Sequence, residues 1–130
     1  MNKLKKVLMT MFGLLMFPLL FACSNNQSQG VEAIKAKGKL VVALNPEFAP
    51  FEYQKLVDGK NQIVGSDVEL AKAIAKELGV EVEFSPMSFD NVLASLDSGK
   101  ADLAISGVSK TEERSQVYDF SIPYYTSKNK

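Results

Sequence analysis

The chain has 130 residues, in which 15 lysines and arginines balance 15 aspartates and glutamates, with no histidine and a single cysteine. That inventory excludes a disulfide framework and gives no basis for a zinc site, which draws its ligands from several cysteines and histidines. It offers none of the basic excess that nucleic-acid binding requires, and its length allows one modest core.

At the N-terminus, Lys3, Lys5 and Lys6 precede an apolar run from Val7 to Phe21, and the sequence turns polar from Ser24. This is the anatomy of a secretory signal peptide, and a run of about 15 apolar residues falls short of the roughly 20 that a membrane-crossing helix needs. Residues 1–22 are therefore expected to be a signal segment. Cys23 follows Leu20-Phe21-Ala22, which resembles the bacterial lipoprotein cleavage box. The resemblance implies lipidation of Cys23 and a lipid anchor at the outer face of the cell membrane, on the periplasmic side in a Gram-negative envelope. Two or more acyl chains make such an anchor stable. Residues 23–30 read as a flexible tether. Beyond residue 22 there remain 12 basic and 15 acidic groups, a net charge of −3.

Val31 to Lys37 reads as a short amphipathic helix stopped by Gly38. Lys39 to Leu44 is a strand whose continuous apolar run suits burial on both faces of a sheet, and Asn45-Pro46 ends it. Phe51 to Gln54 and Gln62 to Val64 suit two strands of a hairpin around Asp58-Gly59, with a loop long for a tight turn. The clearest helix runs from Ser66 to Leu78: Ser66 and Glu69 suggest a capping box. Val68, Ala71, Ile74, Ala75 and Leu78 share one face, and Gly79 closes the helix. Val80 to Phe84 alternates as a half-buried strand. Ser88 to Leu96 is a second helix, with Val92, Leu93 and Leu96 inward and Gly99 as its stop. Asp102 to Ser106 is the next strand, and Thr111 caps a last short helix.

Strand, helix, strand, helix, strand predicts an α/β fold with a mostly parallel sheet flanked by helices. In such sheets ligands bind beyond the carboxyl ends of the strands, here at the loops Asn45–Phe51, Ser85–Phe89 and Ser106–Thr111. The last loop lies in the most informative stretch, Leu103 to Arg114. An apolar strand runs into Ser106-Gly107, then Ser109 and Thr111, then a polar helical turn ending in Arg114. Backbone N–H groups, hydroxyls and a guanidinium there suit a carboxylate, which arginine grips in a planar two-bond fork. By the residues alone, a surface ion pair of Arg114 with Glu112 or Glu113 explains it as well.

Gly65-Ser-Asp-Val-Glu-Leu-Ala-Lys-Ala-Ile-Ala75 resembles the signature of the bacterial extracellular solute-binding proteins that serve polar amino-acid ABC transporters. Asn45 to Glu52, Ser98 to Ile105, Ser109 to Arg114 and Asp119 to Tyr125 are similar to that family's other landmarks, in its order and spacing. One departure is Ser66, where the family usually has a bulky apolar residue. The resemblance implies a type II periplasmic-binding-protein-like lobe, with Arg114 on the α-carboxylate of an amino acid and Ser109 on its backbone. It implies a carbonyl at Ser106 or Gly107 for the α-ammonium, and Phe48 and Phe89 as two sides of a slot for the ligand side chain. Phe51 is assigned to the core. Asn45 stands where binders of basic amino acids tend to carry an acid; Glu47 and Glu52 offer substitutes, though both read as solvated surface carboxylates.

Members of the family have two lobes that close on the ligand like a hinged trap. The resemblance covers most of the first, so residues 31–130 are expected to form an incomplete N-terminal lobe. With one jaw the arginine–carboxylate pair is half solvated, worth about 0–1 kcal/mol, and the lone lobe is expected to bind weakly and to be marginally stable. The function implied is capture of a polar amino acid and delivery to a membrane permease with its ATPase subunits, without cofactor or chemistry. Two alternatives share the fold: a periplasmic dehydratase, which needs a positioned acid or base for which Asp90 is the nearest candidate, and a ligand-sensing receptor module.

Overall fold

The computed structural model describes residues 30–127. The signal segment 1–22, Cys23 and the tether up to residue 29 lie outside the described residues. Helix α1 (Val31–Lys37) leads into β1 (Lys39–Leu44), and Gly38 between them takes a left-handed φ of 76° that ends the helix. A three-stranded antiparallel sheet follows, β2 (Glu47–Phe48), β3 (Glu52–Val57) and β4 (Lys60–Val64), then α2 (Ser66–Leu78), β5 (Glu81–Pro86), α3 (Phe89–Asp97), β6 (Leu103–Ala104) and α4 (Glu112–Ser115).

β1 is the middle strand of a parallel sheet ordered β5-β1-β6. Its apolar run is buried on both faces, as an unbroken hydrophobic strand requires. Leu40 and Val42 pack with Ala71, Ala75 and Ile105 beneath α1 and α2, while Val41 and Ala43 pack with Val92 and Ala101 beneath α3. Each buried valine or leucine contributes about 1.5–3 kcal/mol. From β1 the chain crosses to β5 on one side and then to β6 on the other. That reversal leaves a crevice between the carboxyl ends of β1 and β6, where Asn45 and Ser106 stand.

Two local expectations are corrected. The β3–β4 hairpin has the two-residue turn Asp58-Gly59, with Val57 paired to Lys60 and φ values of 50° and 76°. Positive φ at both central residues is the turn that matches strand twist; the strands simply run farther than their apolar residues. The capping box is also replaced. Gly65 is the N-cap of α2, and the amides of Ser66 and Asp67 donate to the carbonyls of Pro50 (3.2 Å) and Phe51 (2.9 Å). The Glu69 side chain turns to Lys72 instead, at 2.8 Å. The loop 49–51, with its cis Ala49-Pro50 bond, thus does the capping, and Gly65 at φ 133° admits its close approach.

Candidate functional site

Three loops meet at the carboxyl edge of the parallel sheet and enclose a cavity of about 350 Å³ lined by Asn45, Glu47, Phe48, Glu52, Phe89, Ser106 and Gly107. Asn45 ends β1 and donates its amide hydrogen to the Ser106 hydroxyl at 2.9 Å, which ties the β1 and β6 loops together. Phe48 and Phe89 are half exposed, at 50% and 38%, and both turn toward this cavity. A second hollow of about 310 Å³ adjoins it, and Phe48 and Gly107 belong to both. Its other walls include Phe51, Ser109, Tyr124 and Tyr125.

Five of the expected site residues, Asn45, Phe48, Phe89, Ser106 and Gly107, therefore share one cavity, and Ser109 lines its neighbour. Arg114 lines neither. Its Nη1 donates to the Ser109 carbonyl at 3.0 Å, and among the described residues none of the three ion pairs involves it. Thr111 caps α4 as expected, accepting from the Arg114 amide at 3.2 Å. Gly107 has φ 57°, and a Cβ there would stand 2.8 Å from Phe48 Cε1. Glycine at this position lets the aromatic ring lie against the backbone.

Phe51 corrects an expectation. It belongs to neither core cluster: its ring stacks on Phe48 at 5.2 Å and meets Tyr125 edge-on at 4.8 Å. Such offset and T-shaped contacts satisfy the aromatic quadrupole, and Phe51 lines the second hollow. Glu52 is a larger correction. It is fully buried, at 0% exposure, instead of solvated. Its Oε1 accepts from the Ser106 hydroxyl at 2.7 Å, so that hydroxyl points inward and only the Ser106 backbone remains for a ligand. Asp67 is equally buried, and its Oδ2 accepts from the Tyr124 hydroxyl at 2.8 Å.

Burial is the main cause that pushes the Glu52 carboxyl up to about 7; the Ser106 hydrogen bond opposes this, and the adjacent Asp67 charge and hydrogen bond reinforce it. The Tyr124 hydroxyl is pushed up by burial and by the Asp67 carboxylate, while the nearby Gly107 backbone acts the other way. Sequence reasoning missed this buried group. One signal was present for Asp67, which precedes Ala71 and Ala75 at four-residue steps on the helix face that packs inward. Among the described residues no cluster of acids is arranged to hold a metal.

The fold and the cavity define a ligand-binding lobe of the α/β type, open at the carboxyl edge of a parallel sheet. The chain belongs to the bacterial extracellular solute-binding proteins, family 3, whose model matches residues 40–130. It is similar to the arginine-binding extracellular protein ArtP of Bacillus subtilis, with 44% identity over 108 residues, 83% of this chain and 40% of that protein. Among solved structures it resembles the amino acid ABC transporter substrate-binding protein AbpA from Streptococcus pneumoniae bound to L-arginine. There the identity is 86% and the TM-score 0.71, over 72% of this chain and 40% of that one. It also resembles the arginine-bound domain 1 of TmArgBP, the T. maritima arginine-binding protein, at 47% identity and TM-score 0.66, over 71% of each chain. The chain thus spans about 40% of the length of ArtP and AbpA.

Proposed function

We propose that this chain forms the first lobe of the substrate-binding component of an amino-acid ABC transporter, and that its ligand is arginine. The observation that carries the reading is the convergence of Asn45, Phe48, Phe89, Ser106 and Gly107 on one cavity, in a chain similar to two proteins seen with L-arginine. Arg114 grips the α-carboxylate, Ser109 contacts the ligand backbone, and the Ser106 or Gly107 carbonyl accepts from the α-ammonium. The aromatic faces of Phe48 and Phe89 suit a guanidinium, and Glu47 on the cavity wall supplies the counter-charge that Asn45 lacks. Delivery is to a membrane permease with its ATPase subunits. The chain is exported and held by lipid on Cys23, so Cys23→Ala is expected to release it from the membrane fraction.

Isothermal titration tests the ligand. A saturable signal with L-arginine, lost in Arg114→Ala and absent with L-glutamate, is expected. An equal response to L-glutamate would overturn the ligand class, and retention in Arg114→Ala would overturn the role of that residue. A dehydratase on this fold would look to Glu52, the one carboxyl near the cavity pushed up to about 7. Its buried oxygens face Ser106 and Asp67, so we assign it no chemistry on a ligand.

A further inference from the structure

Two buried oxygens beside the cavity, Glu52 Oε2 and Asp67 Oδ1, have no hydrogen-bonding neighbour once every fixed donor is assigned. Both residues are fully buried, and the two carboxyls lie within hydrogen-bonding reach of each other. Two carboxylates so placed cannot both ionise without strong repulsion, and one retained proton resolves it. A proton on Glu52 Oε2, donated to Asp67 Oδ1, completes a chain in which every polar atom has a partner. The Asn45 amide donates to the Ser106 hydroxyl and that hydroxyl to Glu52 Oε1. On the other side the Tyr124 hydroxyl donates to Asp67 Oδ2, and the Gly107 backbone lies near that hydroxyl. One end of the chain is the Asn45 amide and the other lies beside the Gly107 backbone, and both residues line the cavity.

We propose that Glu52 and Asp67 share one proton and act as positioning residues for the Asn45–Ser106–Gly107 rim, so that ligand capture weakens when the pair loses that proton. The groups facing Glu52 are Asp67 from α2 and Tyr124 from the C-terminal segment, with Glu47 across the cavity. All are acidic or neutral, so each disfavours the second ionisation. Low-dielectric surroundings make a fully satisfied network rigid and a broken one costly. The consequence for capture rests on the arginine-binding reading above, whereas the proton-sharing pair and its hold on the rim do not.

The experiment is an NMR pH titration of the chain, following the Glu52 side-chain carboxyl and the amides of Asn45 and Gly107, with arginine affinity measured in parallel. The carboxyl and both amides are expected to titrate together with a midpoint of about 7. In Glu52→Gln, whose amide can still donate to Asp67 and accept from Ser106, the rim amides stay in their low-pH positions throughout. In Asp67→Asn the Glu52 midpoint falls. Arginine affinity drops about tenfold one pH unit above the midpoint, by the loss of the competent population, and becomes flat with pH in Glu52→Gln. A Glu52 carboxyl that titrates in the ordinary carboxylate range, or rim amides that move identically in Glu52→Gln, would overturn the proposal. Failure of the unaltered chain to bind arginine at any pH would instead sink the ligand assignment, with the carboxyl and amide titrations still deciding the pair.

Discussion

Gly107 and Arg114 show how differently two expected site residues are legible. By residue type Gly107 reads as a turn residue, and the resemblance adds a carbonyl for the ligand's α-ammonium; the structure gives it the further role of making room for Phe48, whose ring would meet a Cβ at 2.8 Å. Gly107→Ala is expected to displace that ring and to add the left-handed backbone cost of about 1–2 kcal/mol, which calorimetry would read as weakened arginine binding and a melt as a modest loss of stability. Arg114 reads from the residues alone equally well as a surface ion pair, and only the resemblance assigns it to a ligand; the structure leaves it out of the ion pairs among the described residues. Arg114→Lys keeps the charge but loses the planar fork. Since the half-solvated pair is worth about 0–1 kcal/mol, arginine affinity is expected to fall by up to about fivefold, with the melting temperature nearly unchanged because Arg114 holds only the exposed Ser109 carbonyl. Glu52 was illegible. A glutamate beside Tyr53, Gln54 and Lys55 reads as surface, and its burial depends on Ser106, a partner 54 positions away.

The elements themselves were largely readable, because helix period, strand runs and glycine stops are local. β1 and α2 have the expected bounds, and Gly38 and Gly79 end helices in the left-handed conformation. What failed was the start of α2, where a Ser-x-x-Glu spacing suggested a side-chain cap. The carbonyls of Pro50 and Phe51 take that role for the amides of Ser66 and Asp67, 16 residues later, and no local pattern announces a loop folded back over that distance. Gly65 is the hinge of that arrangement. A Cβ on it would lie 2.1 Å from the Phe51 carbonyl oxygen and 2.6 Å from its carbon, both backbone atoms that cannot rotate away. Gly65→Ala is therefore expected to destabilise by about 3 kcal/mol or more, the upper range of overpacking, seen as a large drop in the melting temperature. Because the same loop carries Phe48 and Phe51, arginine binding should fall with it.

At the scale of the molecule, the buried carboxyl pair links stability to pH. Glu52 is raised in the folded chain from 4.5 to about 7, so the folded state holds its proton where the unfolded state has released it. That contribution is fully present below about pH 4.5 and is lost progressively as the pH rises to about 7. The melting temperature is expected to fall across that window, and the fall to be smaller in Glu52→Gln. A second prediction concerns the single lobe. Taken alone, these residues offer the ligand one surface, and L-arginine is expected to bind them only in the roughly millimolar range; calorimetry that finds micromolar binding would overturn that weakness. The sequence by itself determined the α/β alternation, the parallel sheet and the edge where the loops Asn45–Phe51, Ser85–Phe89 and Ser106–Thr111 gather, since these follow from local periodicity and from the rule that such sheets bind ligands at their carboxyl ends. Only the tertiary structure decided that Glu52 and Asp67 lie buried together, that Phe51 lines a hollow outside the core, and that a distant loop caps α2. Burial and hydrogen-bond partnership are relations between residues far apart in the chain, and no local pattern encodes them.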